Sequence, residues 1–147
     1  MAQYYSNELA GTTTGLTTSP DAAVRPSAAS GYGATLRVFR ATVTYASQAS
    51  GSTIVLAKIP VGYAFVSGSL VTSASTSTAT IAIGTSATAG KYKAAGAVTS
   101  TDTPTAFGLG NAYAGAFSAE ETVIATVGTA ALPSSGTLVV DIICCGA

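Results

Sequence analysis

Short runs of β-branched and aromatic residues recur along this chain, and Gly, Ser and Pro separate them at close spacing. Within the runs the apolar residues alternate with a period of two. That period puts successive side chains on opposite faces of a strand and cannot hold one face of a helix. Residues 35–45 read TLRVFRATVTY, where Phe39, Ala41, Val43 and Tyr45 share a face and Arg40, Thr42 and Thr44 take the other. Leu36 and Val38 fall on the wrong parity for that face, which predicts a bulge or bend near Arg37. Residues 53–59 (TIVLAKI) form a second run, ended by Pro60 and turned by Gly62.

Residues 63–74 and 79–83 read as two strands joined by the polar STST segment, so 63–83 is expected to be a hairpin. Residues 84–121 are looser. A short helix over 112–121 fits the spacing there, with Gly115 weakening it. Strands return at 121–127, with Val123, Ala125 and Val127 on one face. They return again at 137–145, where Leu138, Val140, Ile142 and Cys144 face one way and Asp141 the other. Many short strands with polar turns and no long helix predict an all-β fold, an antiparallel β-sandwich. Residues 1–33 lack this period and carry scattered Gly and Pro. They are expected to form an extended N-terminal arm ahead of a sandwich domain over 34–147.

Composition narrows the chemistry. The chain of 147 residues has no histidine, and charged residues are only 8% of it. Ser–His–Asp and Cys–His constellations are therefore excluded within one chain. Glu120 and Glu121 are sequence neighbours, so on a strand they diverge and offer no carboxylate pair. Cys144 and Cys145 diverge for the same reason. A vicinal disulfide is strained and no histidine completes a metal site, so one thiol is expected to pack in the core and the other to face a neighbour or solvent. Gly108-Leu109-Gly110 is a turn rather than a phosphate loop. Lys91 and Lys93 around Tyr92 read as a solvated edge. No catalysis, cofactor, metal or small-molecule substrate is expected.

Six basic residues balance six acidic ones, so nothing draws the chain to nucleic acid, and little charge keeps it monomeric. No uninterrupted apolar stretch of about 18 residues is present for a membrane-spanning helix. The opening MAQYYSNELAGTTTG has neither the basic start nor the apolar stretch of a secretory signal, so cytoplasmic synthesis without processing is expected. The residues suited to contact are the adjacent aromatics Tyr4 and Tyr5 with Asn7 on the arm, and the arginines Arg25, Arg37 and Arg40, whose planar forks suit interfaces.

Several segments together resemble head proteins of tailed bacteriophages. They are residues 53–64 (TIVLAKIPVGYA), 66–72 (VSGSLVT), 78–85 (TATIAIGT), 91–95 (KYKAA), 122–140 (TVIATVGTAALPSSGTLVV) and the opening AQYYSN at 2–7. The order and spacing of these motifs are similar to those of the capsid decoration, or cement, proteins. The resemblance implies a jelly-roll-like sandwich that sits on the outer surface of the virion head as a homodimer or homotrimer. Its partners would be the major capsid protein and other copies of itself. The family brings no catalytic residues. The chain departs from it in its low charge and high Ala, Ser and Thr content. A tail or fibre component, or a carbohydrate-binding or adhesin sandwich, are the alternative readings.

Overall fold

In the computed structural model of this chain, the structure describes residues 35–146. They form eight strands: β1 (Thr35–Thr44), β2 (Thr53–Ile59), β3 (Ala64–Thr72), β4 (Thr80–Gly84), β5 (Lys93–Gly96), β6 (Thr105–Phe107), β7 (Glu121–Gly128) and β8 (Thr137–Gly146). The strands divide into two four-stranded antiparallel sheets, ordered β1-β8-β3-β6 and β2-β7-β4-β5. Only β4 and β5 are both consecutive and paired. Every other connection crosses from one sheet to the other, which is the jelly-roll arrangement of a sandwich. The all-β expectation holds. The arm over residues 1–33 lies outside the described residues.

Alternation drives the two sheets together. β8 buries Leu138, Val140, Ile142 and Cys144 and turns Val139, Asp141, Ile143 and Cys145 outward. Facing it, β7 buries Val123, Ala125 and Val127, and β4 buries Ile81 and Ile83. These side chains, with Leu70, Ile59, Tyr45 and Tyr92, form one continuous core. Each fully buried aliphatic side chain contributes roughly 1.5–3 kcal/mol of transfer free energy. Gly68 is needed where the sheet is crowded, since a Cβ there would lie 2.2 Å from the Phe107 ring.

Three local expectations are corrected. Residues 63–83 are not a hairpin, because β3 and β4 lie in different sheets. The STST segment is a crossover rather than a tight turn. The Thr76 hydroxyl donates to the carbonyl of Ala79 (2.8 Å) and accepts from the amide of Val98 (2.8 Å), which pins the chain as it changes sheets. No bulge occurs near Arg37, as β1 pairs with β8 in unbroken register from Thr35–Gly146 to Thr44–Thr137. Leu36 and Val38 simply face outward. The register shifts fall instead in β2 between Val55 and Ala57 and in β3 between Phe65 and Ser67. The helix over 112–121 is reduced to one 3-10 turn, Gly110–Tyr113, and Glu121 already belongs to β7.

Candidate interaction surface

The two ends of the sandwich differ in kind. Thr35 pairs with Gly146, and Ile59 pairs with Glu121. The starts of β1, β3 and β7 and the ends of β2, β4 and β8 therefore gather at one end. The 60–63 turn and the 108–120 loop join them there. Backbone bonds lock those two segments together: the Gly62 amide donates to Phe117 (2.9 Å) and the Phe117 amide to Tyr63 (2.7 Å).

Among the described residues, six of the seven large apolar side chains left exposed lie at or near this end. They are Leu36 (62% exposed), Val38 (57%), Val61 (61%), Tyr113 (51%), Val66 and Leu109. Single exposed apolar residues are ordinary, but a contiguous group marks a contact surface. On the outer face of the first sheet the group is extended by β8. Leu36 sits opposite Cys145 and Val38 opposite Ile143. Val66, the extra residue of the β3 bulge, stands beside them.

Charged and aromatic groups frame this surface. Arg37 lies 5.9 Å from the centroid of the Tyr63 ring, which meets Phe39 edge-on at 5.9 Å. Gly146 makes room for that tyrosine, since a Cβ would come within 2.6 Å of its ring. On the outer face of the first sheet, Arg40 donates two parallel hydrogen bonds to Asp141, each 2.7 Å. Those bonds hold the Asp141 carboxyl below its usual range.

At the far side of the end, Lys91 pairs with Glu121, and its ammonium lies 5.2 Å from the Phe117 ring centroid. The buried Tyr92 hydroxyl donates to the same Glu121 oxygen at 2.6 Å. Burial first, and then that hydrogen bond, push its phenol well above the ordinary range. The Lys91–Glu121 pair borders a shallow cleft of about 210 Å³ lined by Ala112, Phe117 and Ser118. Lys93 is half-buried and donates to the carbonyls of Ile81 (2.9 Å) and Ala94 (3.2 Å); burial lowers its pKa. Lys91 and Lys93 are thus partnered and partly covered, which corrects their reading as a solvated edge.

None of this has the form of a reaction centre. Among the described residues no three His, Cys, Asp or Glu side chains gather as metal ligands. Cys144 is buried and its thiol is pushed up to about 12, by burial and then by Cys145, while Cys145 is half-buried on the outer face. The two carboxylates of Glu120 and Glu121 diverge, one pairing with Lys58 and the other with Lys91. Among the described residues no helix is long and apolar enough to cross a membrane.

Of the side chains singled out from sequence, Arg37 and Arg40 are both exposed on β1 but take opposite faces: Arg37 stands opposite buried Cys144, and Arg40 opposite Asp141 on the outer face. Arg40 is already engaged by Asp141. Tyr4, Tyr5, Asn7 and Arg25 lie outside the described residues. Sequence reasoning did not pick out Val61, Leu109 or Tyr113, which sit in turns without a period. The signal for Leu36 and Val38 was the parity break itself.

No protein-family model matches this chain, and no curated protein matches it. Solved structures do. A chain of the cyanophage Pam1 capsid asymmetric unit aligns with a TM-score of 0.64 at 20% identity, covering 89% of this chain and 98% of that one. A chain of the capsid of Ralstonia phage GP4 aligns with a TM-score of 0.63 at 15% identity, covering 77% of this chain and 85% of that one. What the three share is the fold: two packed antiparallel sheets, found in both comparisons within a phage capsid.

Proposed function

We propose that this chain is a structural protein of a tailed-phage virion: a decoration, or cement, protein of the head. On this reading it is made in the host cytoplasm and binds the outside of the shell. There it bridges and stabilises neighbouring major capsid protein subunits and acts as a homodimer or homotrimer. The observation that carries the reading is the likeness to a capsid chain over 98% of that chain's length. The apolar end supports it, because a surface that mixes exposed aliphatics, a tyrosine and framing arginines suits contact with another protein. The lack of a catalytic constellation among the described residues is consistent with a role that requires no chemistry.

The physics of such a role is simple. A protein repeated over a lattice makes many weak, equivalent contacts, and linked contacts raise one another's effective concentration. Any protein that binds the expanded shell better than the unexpanded one shifts that equilibrium by its differential affinity. Tyr4, Tyr5 and Asn7 on the arm, with Arg25 and Arg37, are the proposed shell contacts. Arg40 contributes through its pair with Asp141. Purified protein is expected to co-sediment with empty expanded heads at micromolar concentration, and deletion of residues 2–20 is expected to weaken that binding while leaving the circular dichroism of the sheet intact. Absence of binding overturns the reading. Labelled virions that carry the protein on the tail would favour a tail or fibre component, and clear glycan-array hits a carbohydrate-binding module.

A further inference from the structure

Two open sheets leave four edge strands, and three of these are guarded. β2 carries a bulge between Val55 and Ala57 and the exposed Lys58. β5 is four residues long with an irregular register, and β6 is three. Such devices keep an edge from pairing with another chain. β1 has none of them: it is ten residues long, free of proline and in unbroken register with β8. Among the described residues no strand lies on its other side.

The ladder fixes which groups face that edge. The Tyr45 amide donates to Gly136 (2.9 Å), one step beyond the Thr44–Thr137 pair. Hydrogen-bonded and non-hydrogen-bonded pairs alternate along antiparallel strands. Odd-numbered residues of β1 therefore bond β8, and even-numbered ones turn their N–H and C=O to the open edge. At Thr44 that carbonyl is already taken: Gln48 Nε2 donates to it (3.0 Å), and Gln48 Oε1 accepts from the Ala46 amide (2.9 Å). Leu36, Val38, Arg40 and Thr42 keep both groups free among the described residues, and that set is symmetric about Phe39.

We propose that two copies of this chain pair β1 against β1, antiparallel, about a two-fold axis at Phe39, so that their first sheets join into one. This names the self-contact of the homo-oligomer read above and rests on that part of the reading alone. Leu36 then lies opposite Thr42 of the second copy and Val38 opposite its Arg40, so every free N–H and C=O of the set gains a partner. The side chains agree. Phe39 meets its own counterpart, and Arg37 falls opposite Ala41, whose small side chain leaves room for the guanidinium. Phe39, Ala41 and Val43 face the core yet are only half-buried in the single chain, so this edge is short of cover. Arg40 brings no net charge to the seam, because Asp141 already pairs with it. Neighbouring registers fit less well. A centre at Arg40 sets the two arginines face to face, and a centre at Val38 leaves Thr42 without a partner on β1.

Sedimentation of the full free protein across micromolar concentrations tests the contact. The native chain is expected to be a dimer, and Val38→Pro to raise its dissociation constant at least ~tenfold. Proline at that position removes an N–H that points to the edge and leaves the bonds to β8 in place. Thr42→Pro serves in its place if Val38→Pro fails to fold. Cross-linking reads the register without relying on proline. In a Cys145→Ser background, Phe39→Cys is expected to give disulfide-linked dimers under mild oxidation. Ala41→Cys is expected to stay unlinked, since its counterpart lies roughly 13 Å along the strand. A native dimer or trimer that a folded proline variant leaves intact overturns the proposal, as does linkage at Ala41→Cys but not at Phe39→Cys. A native chain that stays monomeric overturns it together with the homo-oligomer. Binding of that monomer to expanded heads would leave the shell-binding reading standing.

Discussion

The two ends of this sandwich are built from opposite materials. At one end lie the exposed Leu36, Val61 and Tyr113 and the Lys58–Glu120 and Lys91–Glu121 ion pairs. The other end gathers the 45–52, 73–79, 97–104 and 129–136 loops, which are rich in Ser, Thr and Gly, with Asp102 as the one charged residue among them. Several of its hydroxyls are spent internally. Thr72 donates to the Ala74 carbonyl (2.6 Å) and accepts from the buried Tyr45 hydroxyl (2.7 Å). Ser73 accepts from the Thr137 amide (2.9 Å), and Thr103 donates to the Thr101 carbonyl (3.1 Å). A hydroxyl spent on its own backbone holds a loop in shape and has little left to offer a partner. Apolar atoms left in water do the reverse: they contribute nothing to the fold and gain free energy when another surface covers them. One end is therefore committed to folding and the other is available for association.

The comparison assumes a single core beneath both ends, and the largest expected effect tests that assumption. Ile81 is almost fully buried in the middle layer. Ile81→Asp places an unpaired charge there and is expected to unfold the whole domain, a loss above about 4 kcal/mol. Chemical denaturation or loss of soluble protein reads it. Survival of either end as a protected unit in hydrogen exchange would break the comparison.

Next in size is the hydroxyl end. Thr76→Val keeps the shape but leaves the Ala79 carbonyl and the Val98 amide without their partner. A loss of about 2–3 kcal/mol is expected in urea denaturation, with head binding unchanged. A Thr76→Val protein of native stability would mean that these hydroxyls are not structural.

Alkaline pH tests the layer between the ends. Folded Cys144 and Tyr92 hold their protons more tightly than the unfolded chain, whose thiol and phenol titrate near 9.0 and 10.0. Above about pH 9 the unfolded state binds fewer protons than the folded one, so stability falls as pH rises. The contribution is complete below pH 9 and is lost as pH climbs through about 12, where folded Cys144 titrates. Midpoints of urea denaturation between pH 7 and 11 check the sign; a rising or flat midpoint overturns it.

Much of this division is written in the sequence, but not all of it in a readable form. Alternation identified the strand at residues 53–59 and the inward faces of β7 and β8, because a half-buried strand must alternate. It could not say which sheet each strand joins. Period two specifies a face and leaves the neighbour open, and so β3 and β4 were paired wrongly. β5 and β6 left no signal. They are four and three residues of Lys, Ala, Gly, Thr and Phe, ordered by pairing with β4 and β3 rather than by their own propensity. Thr76 looked like turn chemistry because hydroxyl residues look alike whether they face water or a buried carbonyl. At the apolar end, Arg37 and Arg40 were legible as scarce charges. Leu36 and Val38 were visible as a parity break, and physical economy favoured a bulge over two aliphatics in water. Val61 and Tyr113 become neighbours only through the backbone bonds that tie the 60–63 turn to Phe117.

Smaller effects separate binding from folding at the apolar end itself. Val61→Ser removes exposed apolar area that the fold does not use. Stability is expected to stay within about 0.5 kcal/mol of native, while affinity for expanded heads drops by ~tenfold or more. Head co-sedimentation beside urea denaturation reads both quantities on one preparation. Loss of stability without loss of binding would reverse the assignment of the two ends.

The smallest effect is expected at the rim. Lys58 and Glu120 meet at 4.0 Å on the same end, and both side chains are mostly in water, at 66% and 60% exposure. A pair of this kind gains little Coulomb energy in high dielectric, and ordering two long side chains offsets what it gains. Lys58→Ala is therefore expected to change stability by less than about 0.5 kcal/mol. If the apolar end docks on another protein, however, a rim charge acts on the rate of encounter more than on the strength of the complex. Lys58→Ala should then alter the salt dependence of association with heads and leave dissociation nearly unchanged. Stopped-flow binding at two ionic strengths distinguishes the cases. A change confined to dissociation would move Lys58 from the rim to the centre of the contact and redraw the boundary of the docking surface.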